Sequence, residues 1–323
     1  MLAQTELLKP RGESSSPAGP CLPSPARPPS DGPRRESGPL TVADSLRPWQ
    51  RQARHGVLNT GRYHCRYYQW GHGPPLIFVP GLSLESTSFV MAMARLQSQF
   101  TCIGYELPSG VGDGANLAGY SHANLRDDLV ALLDQLRIDR CYLVGFSFGS
   151  TIALAAFAHQ PRRFPRGILV GGFARRPLAW AEVMLAHFAR YLPNCVADVP
   201  GFARRVRRHN EPLFASRPPE ELADFCAMEG SRPLRTVAKR ALLMHRIDMR
   251  PLLSRIEQPM LLIHGDCDHL VPQKAQEELK AGLPNAARAE IEHCGHYPQL
   301  THPGAFTEIV RQFLTPAMCP VDH

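Results

Sequence analysis

Ser147 stands at the centre of Gly145-Phe146-Ser147-Phe148-Gly149, between an apolar run at 141–146 and a small-residue run at 149–158. A serine hydroxyl is a weak nucleophile until a base takes its proton and hydrogen-bond donors receive the charge that develops on the substrate. The G-x-S-x-G string arises often by chance, and a strand–turn–helix setting is what gives it chemical meaning. The flanks predict that setting, because a β-rich segment meets a helix-forming one at the serine. Glycines two positions to either side remove Cβ atoms that would collide in so tight a turn. A helix starting just after Ser147 would also aim its free N–H groups and positive dipole end at the hydroxyl. The competing reading is a small serine at an ordinary strand–helix junction.

A second concentration of reactive types lies towards the C-terminus. Asp266 and Asp268 follow the apolar run 260–264, and either could cap a helix that has Pro272 in its first turn. Imidazole titrates near neutrality without help, so the histidines at 293 and 296 suit proton transfer. His264, Asp266, Asp268, His269, His293, Cys294 and His296 also form a set of metal-ligating types. No H-E-x-x-H spacing accompanies them, and a metal would leave the serine turn unexplained. Gly110-Val111-Gly112-Asp113-Gly114 lacks the third glycine of a dinucleotide fingerprint, and no helical pattern follows it directly.

With the serine motif in its strand–helix setting, the chain resembles the α/β-hydrolase fold superfamily over about residues 57–315, in its serine-nucleophile, esterase-like branch. The resemblance implies an oxyanion-hole loop after an earlier strand, commonly written H-G. Here that position reads Val79-Pro80-Gly81-Leu82. Proline replaces the histidine, but the donor is a backbone N–H, so the carry-over nominates the N–H groups of Leu82 and Phe148. Glu106-Leu107-Pro108-Ser109-Gly110-Val111-Gly112 matches the family's D-x-P-G-x-G only in part. The strand followed by G-x-x-D aligns Gly265 with Asp268 as the acid, with Asp266 as second choice. The G-H pair falls on Gly295-His296, which makes His296 the general base and leaves His293 a structural residue within a strand at 289–293. The order Ser147, Asp268, His296 is the family's nucleophile–acid–base order.

Relatives that break carbon–halogen bonds carry aspartate where Ser147 stands, so ester, thioester and amide hydrolysis, perhydrolysis and acyl transfer remain open. The implied enzyme is a carboxylesterase-like serine hydrolase that needs no cofactor and no metal. Two alternatives stand beside it: a ligand-binding or signalling member of the same fold with little turnover, and an esterase for acyl groups on an acidic carrier protein.

The elements that must position these residues follow from periodicity. Apolar runs at 75–79, 101–105, 141–146, 167–171 and 260–264 have the length and composition of buried parallel strands. Between them lie amphipathic helices. One spans 121–137, with Ser121 as N-cap and Leu125, Leu129, Leu132, Leu133 and Leu136 on one face. The last begins near Pro303 and buries Phe306, Ile309, Val310 and Phe313. The expected fold is a three-layer α/β-hydrolase architecture with a central, mostly parallel sheet and an inserted all-helical cap. Its expected division is a Pro/Arg/Ser-rich disordered tail and lead-in at 1–56, a catalytic domain at 57–172 and 251–315, the cap at 173–250, and a tail at 316–323.

The insertion has helical stretches near 177–192, 200–209, 219–228 and 233–246. Its Trp180, Met184, Phe188, Tyr191, Phe202, Phe214, Phe225 and Met228 either line an acyl pocket or hold the cap to the main domain. Arg204, Arg205, Arg207 and Arg208 form a basic cluster that could receive an acidic protein partner. With 32 arginines against four lysines in the chain, a solvated helix face is the plainer explanation.

Length and composition bound the rest. The 323 residues, 44% hydrophobic and 20% charged, can bury a large core without staples, and they exclude coiled coil and collagen. The net charge of +7 is local: +3 in 1–56, +6 in 173–250 and −2 elsewhere. No basic stripe with interleaved aromatics or nucleic-acid-binding motif is present, so nucleic acid is not an expected partner. Nine scattered cysteines without a C-x-x-C point to a reducing compartment and a cytoplasmic protein. Cys267 and Cys294 flank the nominated acid and base, so thiol reagents could inhibit by crowding. Residues 1–48 hold ten of the 31 prolines and no apolar run of signal-peptide length. The uncharged stretch 141–158 approaches a membrane span in length, but its two glycines and change of composition favour a strand, a turn and a helix, with no membrane span.

Overall fold

The computed structural model describes residues 41–315. The chain begins there with α1 (Val42–Gln52), followed by β1 (Arg54–Asn59), β2 (His64–Trp70) and β3 (Pro75–Val79). Next come α2 (Val90–Leu96), β4 (Thr101–Tyr105), α3 (His122–Gln135), β5 (Tyr142–Phe146), α4 (Phe148–His159) and β6 (Gly167–Val170). Four helices then run without an intervening strand: α5 (Trp180–Ala189), α6 (Phe202–Asn210), α7 (Pro219–Gly230) and α8 (Leu234–Arg246). After α9 (Arg250–Leu253) the sheet resumes with β7 (Met260–Gly265), α10 (Gln273–Gly282), β8 (Ala286–Ile291), α11 (Pro298–Thr301) and α12 (Pro303–Leu314).

The eight strands form one sheet in the order β1-β2-β4-β3-β5-β6-β7-β8. Strands β3 to β8 are parallel, while β1–β2 and β2–β4 pair antiparallel at one edge. Successive strand side chains point to opposite faces. Ile77, Val79, Ile103, Leu143, Leu169 and Leu262 accordingly join one core with α3, α4 and α10. Leu76, Phe78, Cys102, Val144, Ile168, Val170 and Ile263 join another with α1, α2 and α12. Two cores on one sheet make three layers, and strands covered on both faces read as the continuous apolar runs seen in the sequence. The apolar stretch 141–158 is β5, Ser147 and α4, and among the described residues no helix is long and apolar enough to cross a membrane.

Three sequence expectations need correction. Residues 42–56 are not tail or lead-in: Thr41 and Asp44 form a capping box for α1, and Val42, Ser45 and Trp49 are buried along one side of it. Arg54–Asn59 then pairs along its length with β2. The rest of that expected tail, residues 1–40, and the tail at 316–323 lie outside the described residues. The last strand ends at Ile291, and His293 sits beyond it on an exposed turn with φ 54°. Trp180, Met184, Phe188 and Tyr191 line neither chamber at His296 and are not packed into the main domain, because all four face outward.

Candidate active site

Every nominated residue lies beyond the C-terminal end of a parallel strand, where the loops of an open α/β sheet converge. Ser147 follows β5 directly and has φ 51° and ψ −118°, a conformation that a residue with a Cβ adopts only under constraint. Its N–H donates to the Val170 carbonyl at 2.8 Å, and its own carbonyl accepts from the Ser150 N–H and hydroxyl. The flanking glycines are needed on steric grounds. A Cβ at Gly145 would lie 2.8 Å from the Gly149 carbonyl oxygen, and one at Gly149 would lie 2.5 Å from those of Val79 and Pro80. The turn therefore lifts a half-buried Ser147 out of a buried surround.

The loop after β3 passes beside the serine. A Cβ on Gly81 would come within 2.9 Å of the Phe146 ring and 3.5 Å of Ser147 Cβ. This brings Leu82 to the same chamber as Ser147. Phe148 is the first residue of α4, where an N–H has no partner within the helix. Leu82 is itself tethered: its carbonyl accepts from Arg240 Nη1 of α8 at 3.0 Å. The same guanidinium donates to the carbonyls of Leu107 at 2.8 Å and Pro108 at 3.0 Å. Burial pulls Arg240 down to about 10 against the favourable charge of Glu106, so it stays cationic at neutral pH.

Asp268 follows β7 and His296 follows β8, and the two side chains meet. His296 Nδ1 lies 2.7 Å from Asp268 Oδ2, with only 6% and 2% of the side chains exposed. The other carboxylate oxygen accepts from the N–H groups of Leu270 at 2.8 Å and Val271 at 2.9 Å. Burial pushes the Asp268 carboxyl upward, but the hydrogen bond and charge of His296 and these two N–H groups outweigh it and hold the carboxyl below the ordinary range. An ionised carboxylate accepts only, so Nδ1 donates to it and Nε2 is the ring nitrogen left to face other partners. Asp266, the second choice, instead takes the Cys294 N–H on Oδ1 at 3.0 Å. Neither aspartate is the N-cap of α10, which is Pro272.

Ser147, Leu82 and His296 line one chamber of about 160 Å³ with Phe173, Met244 and Val271. His296 also lines a larger chamber of about 290 Å³, walled by Val206, Leu213, Phe225 and Leu270 and bearing Glu229. Motif reading missed three residues here. Glu229 on α7 accepts from the Ser83 hydroxyl at 3.0 Å and the Tyr297 hydroxyl at 3.1 Å, and burial raises its carboxyl despite both bonds. Gly171, just after β6, has φ 51°, and a Cβ there would lie 2.8 Å from His296 Cε1 and 3.4 Å from Asp268 Oδ2. Arg240 is the third. A glycine pair directly after a strand was a usable signal for Gly171; for a glutamate and an arginine on amphipathic helices there was none.

Among the described residues, no three members of the alternative metal set gather at one point. His264 Nε2 sits 2.8 Å from Glu290, Asp266 and Asp268 have the partners given above, and His293 is on the exposed turn. Cys294 is buried, which pushes its thiol up to about 12, and the Asp266 hydrogen bond raises Cys267. Neither thiol is placed as a thiolate nucleophile.

A three-layer sheet with a serine on a strained strand–helix turn defines a hydrolase scaffold, and residues 74–303 match the family model described as the alpha/beta hydrolase fold. The chain belongs to that family. It is 26% identical to the pimeloyl-[acyl-carrier protein] methyl ester esterase of Aeromonas hydrophila, covering 76% of this chain and 97% of the relative. It is 28% identical to the 2-hydroxymuconate semialdehyde hydrolase of Pseudomonas putida, over 81% of this chain and 94% of the relative. A solved hydrolase structure from Pseudomonas aeruginosa superposes with a TM-score of 0.71 at 20% identity, covering 81% of this chain and 98% of the other. These relatives support a hydrolytic function and differ among themselves in substrate.

Proposed function

We propose that the chain is a serine hydrolase that cleaves a carboxylic ester or related acyl compound through an acyl-enzyme on Ser147. The observation that carries this reading is the buried 2.7 Å contact of His296 with Asp268, opening on the chamber that holds Ser147. His296 Nε2 takes the hydroxyl proton as Ser147 Oγ attacks the acyl carbon, and Asp268 steadies the imidazolium. The Leu82 and Phe148 N–H groups receive the oxyanion. His296 returns the proton to the leaving alcohol, and the same steps with water release the acid. The helices at 173–250 act as a cap, since Arg240 grips the Leu82 loop and Glu229 reaches Ser83 and Tyr297. The two chambers that share His296 suit the acyl and alcohol parts of a short or medium ester.

A carrier-borne acyl group is a second reading, favoured by one feature. Arg204, Arg205, Arg207 and Arg208 are exposed on α6, and Arg205 also lines the larger chamber. The relative from Aeromonas hydrophila, named for a carrier-protein ester, is consistent with it. Steep salt dependence for a carrier-bound substrate, absent for a free ester, separates the two.

The direct test treats the purified protein with a fluorophosphonate and maps the adduct by peptide mass spectrometry, with Ser147→Ala alongside. Labelling at Ser147 that vanishes in the variant, together with multiple turnover of short acyl esters, is the expected result. No labelling of the folded protein, or labelling elsewhere, would overturn the proposal.

A further inference from the structure

Helix α5 presents its apolar side to the outside. At about 100° per residue, Val183, Ala186 and Ala189 fall on one face, and that face packs on Leu234, Ala238 and Leu242 of α8. The opposite arc carries Trp180, Ala181, Met184, Leu185 and Phe188, continued by Tyr191, with no charged side chain among them. The five large ones are 62–80% exposed. Single exposed apolar residues are ordinary, but a contiguous run of five marks a surface that something else covers.

Cations border the arc. Arg190 stacks over the Tyr191 ring at 4.7 Å and donates to its hydroxyl at 2.6 Å. Both share a surface recess with Lys239 and Arg246 of α8. The one acid on α5, Glu182, lies off the arc and caps the Ala179 N–H. A second copy seated two-fold on this face would bring the same cations against themselves. An anionic lipid surface takes both parts, with the apolar arc at the headgroup–acyl boundary and the cations on phosphates.

We propose that α5 is an interfacial anchor that lies in the plane of an anionic phospholipid surface, with Trp180, Met184, Leu185, Phe188 and Tyr191 inserted. The proposal stands on this surface alone and is independent of the reaction at Ser147.

The test co-sediments the full chain with vesicles of phosphatidylcholine alone or with a quarter phosphatidylglycerol. Partition should be at least about ten-fold stronger onto the anionic vesicles, as expected when two or more cations each contribute about 1 kcal/mol, and should weaken in salt. Trp49 and Trp70 are buried, so a blue shift of tryptophan emission on binding reports Trp180. Trp180→Ser with Phe188→Ser should abolish binding, and Lys239→Glu with Arg246→Glu should remove the preference for anionic lipid. Circular dichroism checks that these surface variants stay folded. Binding to neither vesicle, equal binding to both, or binding that survives the serine pair would overturn the proposal. So would concentration-dependent dimerisation abolished by the serine pair, which would assign the face to a second copy.

Discussion

At the scale of single residues, the site depends on positions where a methyl group does not fit. Gly171 is the sharpest case, because its positive φ and the His296 ring 2.8 Å from where a Cβ would stand are independent penalties. An alanine there must strain the backbone by about 1–2 kcal/mol or push the imidazole away from Asp268. Displacing a proton-transfer group by about 1 Å can cost on the order of 100-fold in rate. Gly171→Ala should therefore lower kcat for a short ester by about 10- to 100-fold with KM little changed, as read by steady-state kinetics. Unchanged kcat would mean that His296 tolerates the shift and that Gly171 has no positioning role. The same logic explains why the serine motif was legible. Gly145 and Gly149 are dictated by contacts within a few residues or with one neighbouring strand, so the requirement appears as a local string. Gly171 answers to residues 97 and 125 positions away, and its string is only two glycines after a strand.

At the scale of elements, α8 links the helical insertion to the loop after β3 that carries Leu82. Arg240 satisfies the carbonyls of Leu82, Leu107 and Pro108 from one buried guanidinium, and Thr236 adds a bond to the Ser109 carbonyl at 2.6 Å. Arg240→Met keeps much of the volume but strands three acceptors and leaves Glu106 without its cation. Urea unfolding should show a loss of about 3 kcal/mol, in the range for breaking a buried charged network. Ester turnover by the folded fraction should fall as well, because Leu82 is no longer held. A variant as stable as the parent would show that water replaces these bonds. The elements also show where pattern reading succeeded and failed. Buried parallel strands announce themselves as apolar runs, and β3 and β4 fall where those runs lie. Helix α1 was hidden because Pro48 and the proline-rich flank dominate the composition, although Thr41, Asp44, Val42 and Trp49 already spell a capped amphipathic turn. Strands β1 and β2 were missed because an edge hairpin exposed on one side lacks a continuous apolar run.

At the scale of the whole molecule, burying a carboxyl beside the sheet ties stability to pH. Glu106 follows β4 and accepts from the N–H and hydroxyl of Ser86 at 3.2 and 2.7 Å. Burial, and then the Glu85 carboxylate, push it from 4.5 up to about 7, against the Ser86 bonds and the Arg240 charge. A carboxyl raised on folding gives its stabilisation in full below its unfolded value and loses it as the pH climbs through the folded one. This group therefore erodes stability between about pH 4.5 and 7. Glu106→Gln keeps an acceptor for Ser86 but cannot ionise. Its urea midpoint relative to the parent should rise from pH 5 to pH 8, and parallel midpoints would refute the account.

Local chemistry, read from the sequence, was enough for the architecture and for naming Ser147, Asp268 and His296 as candidates. Each is tied to a strand end by a short glycine-bearing string, and strand ends are visible as breaks in hydrophobic runs. The string at Gly265 put Asp268 ahead of Asp266, but the contact itself comes from the packing of β7 against β8, which brings the Asp268 carboxylate to the imidazole. The roles of Glu229 and Arg240, and the outward turn of α5, were likewise settled only by folding. An amphipathic helix states that it has two faces; which face turns inward depends on the surface that meets it, and that surface comes from distant parts of the chain.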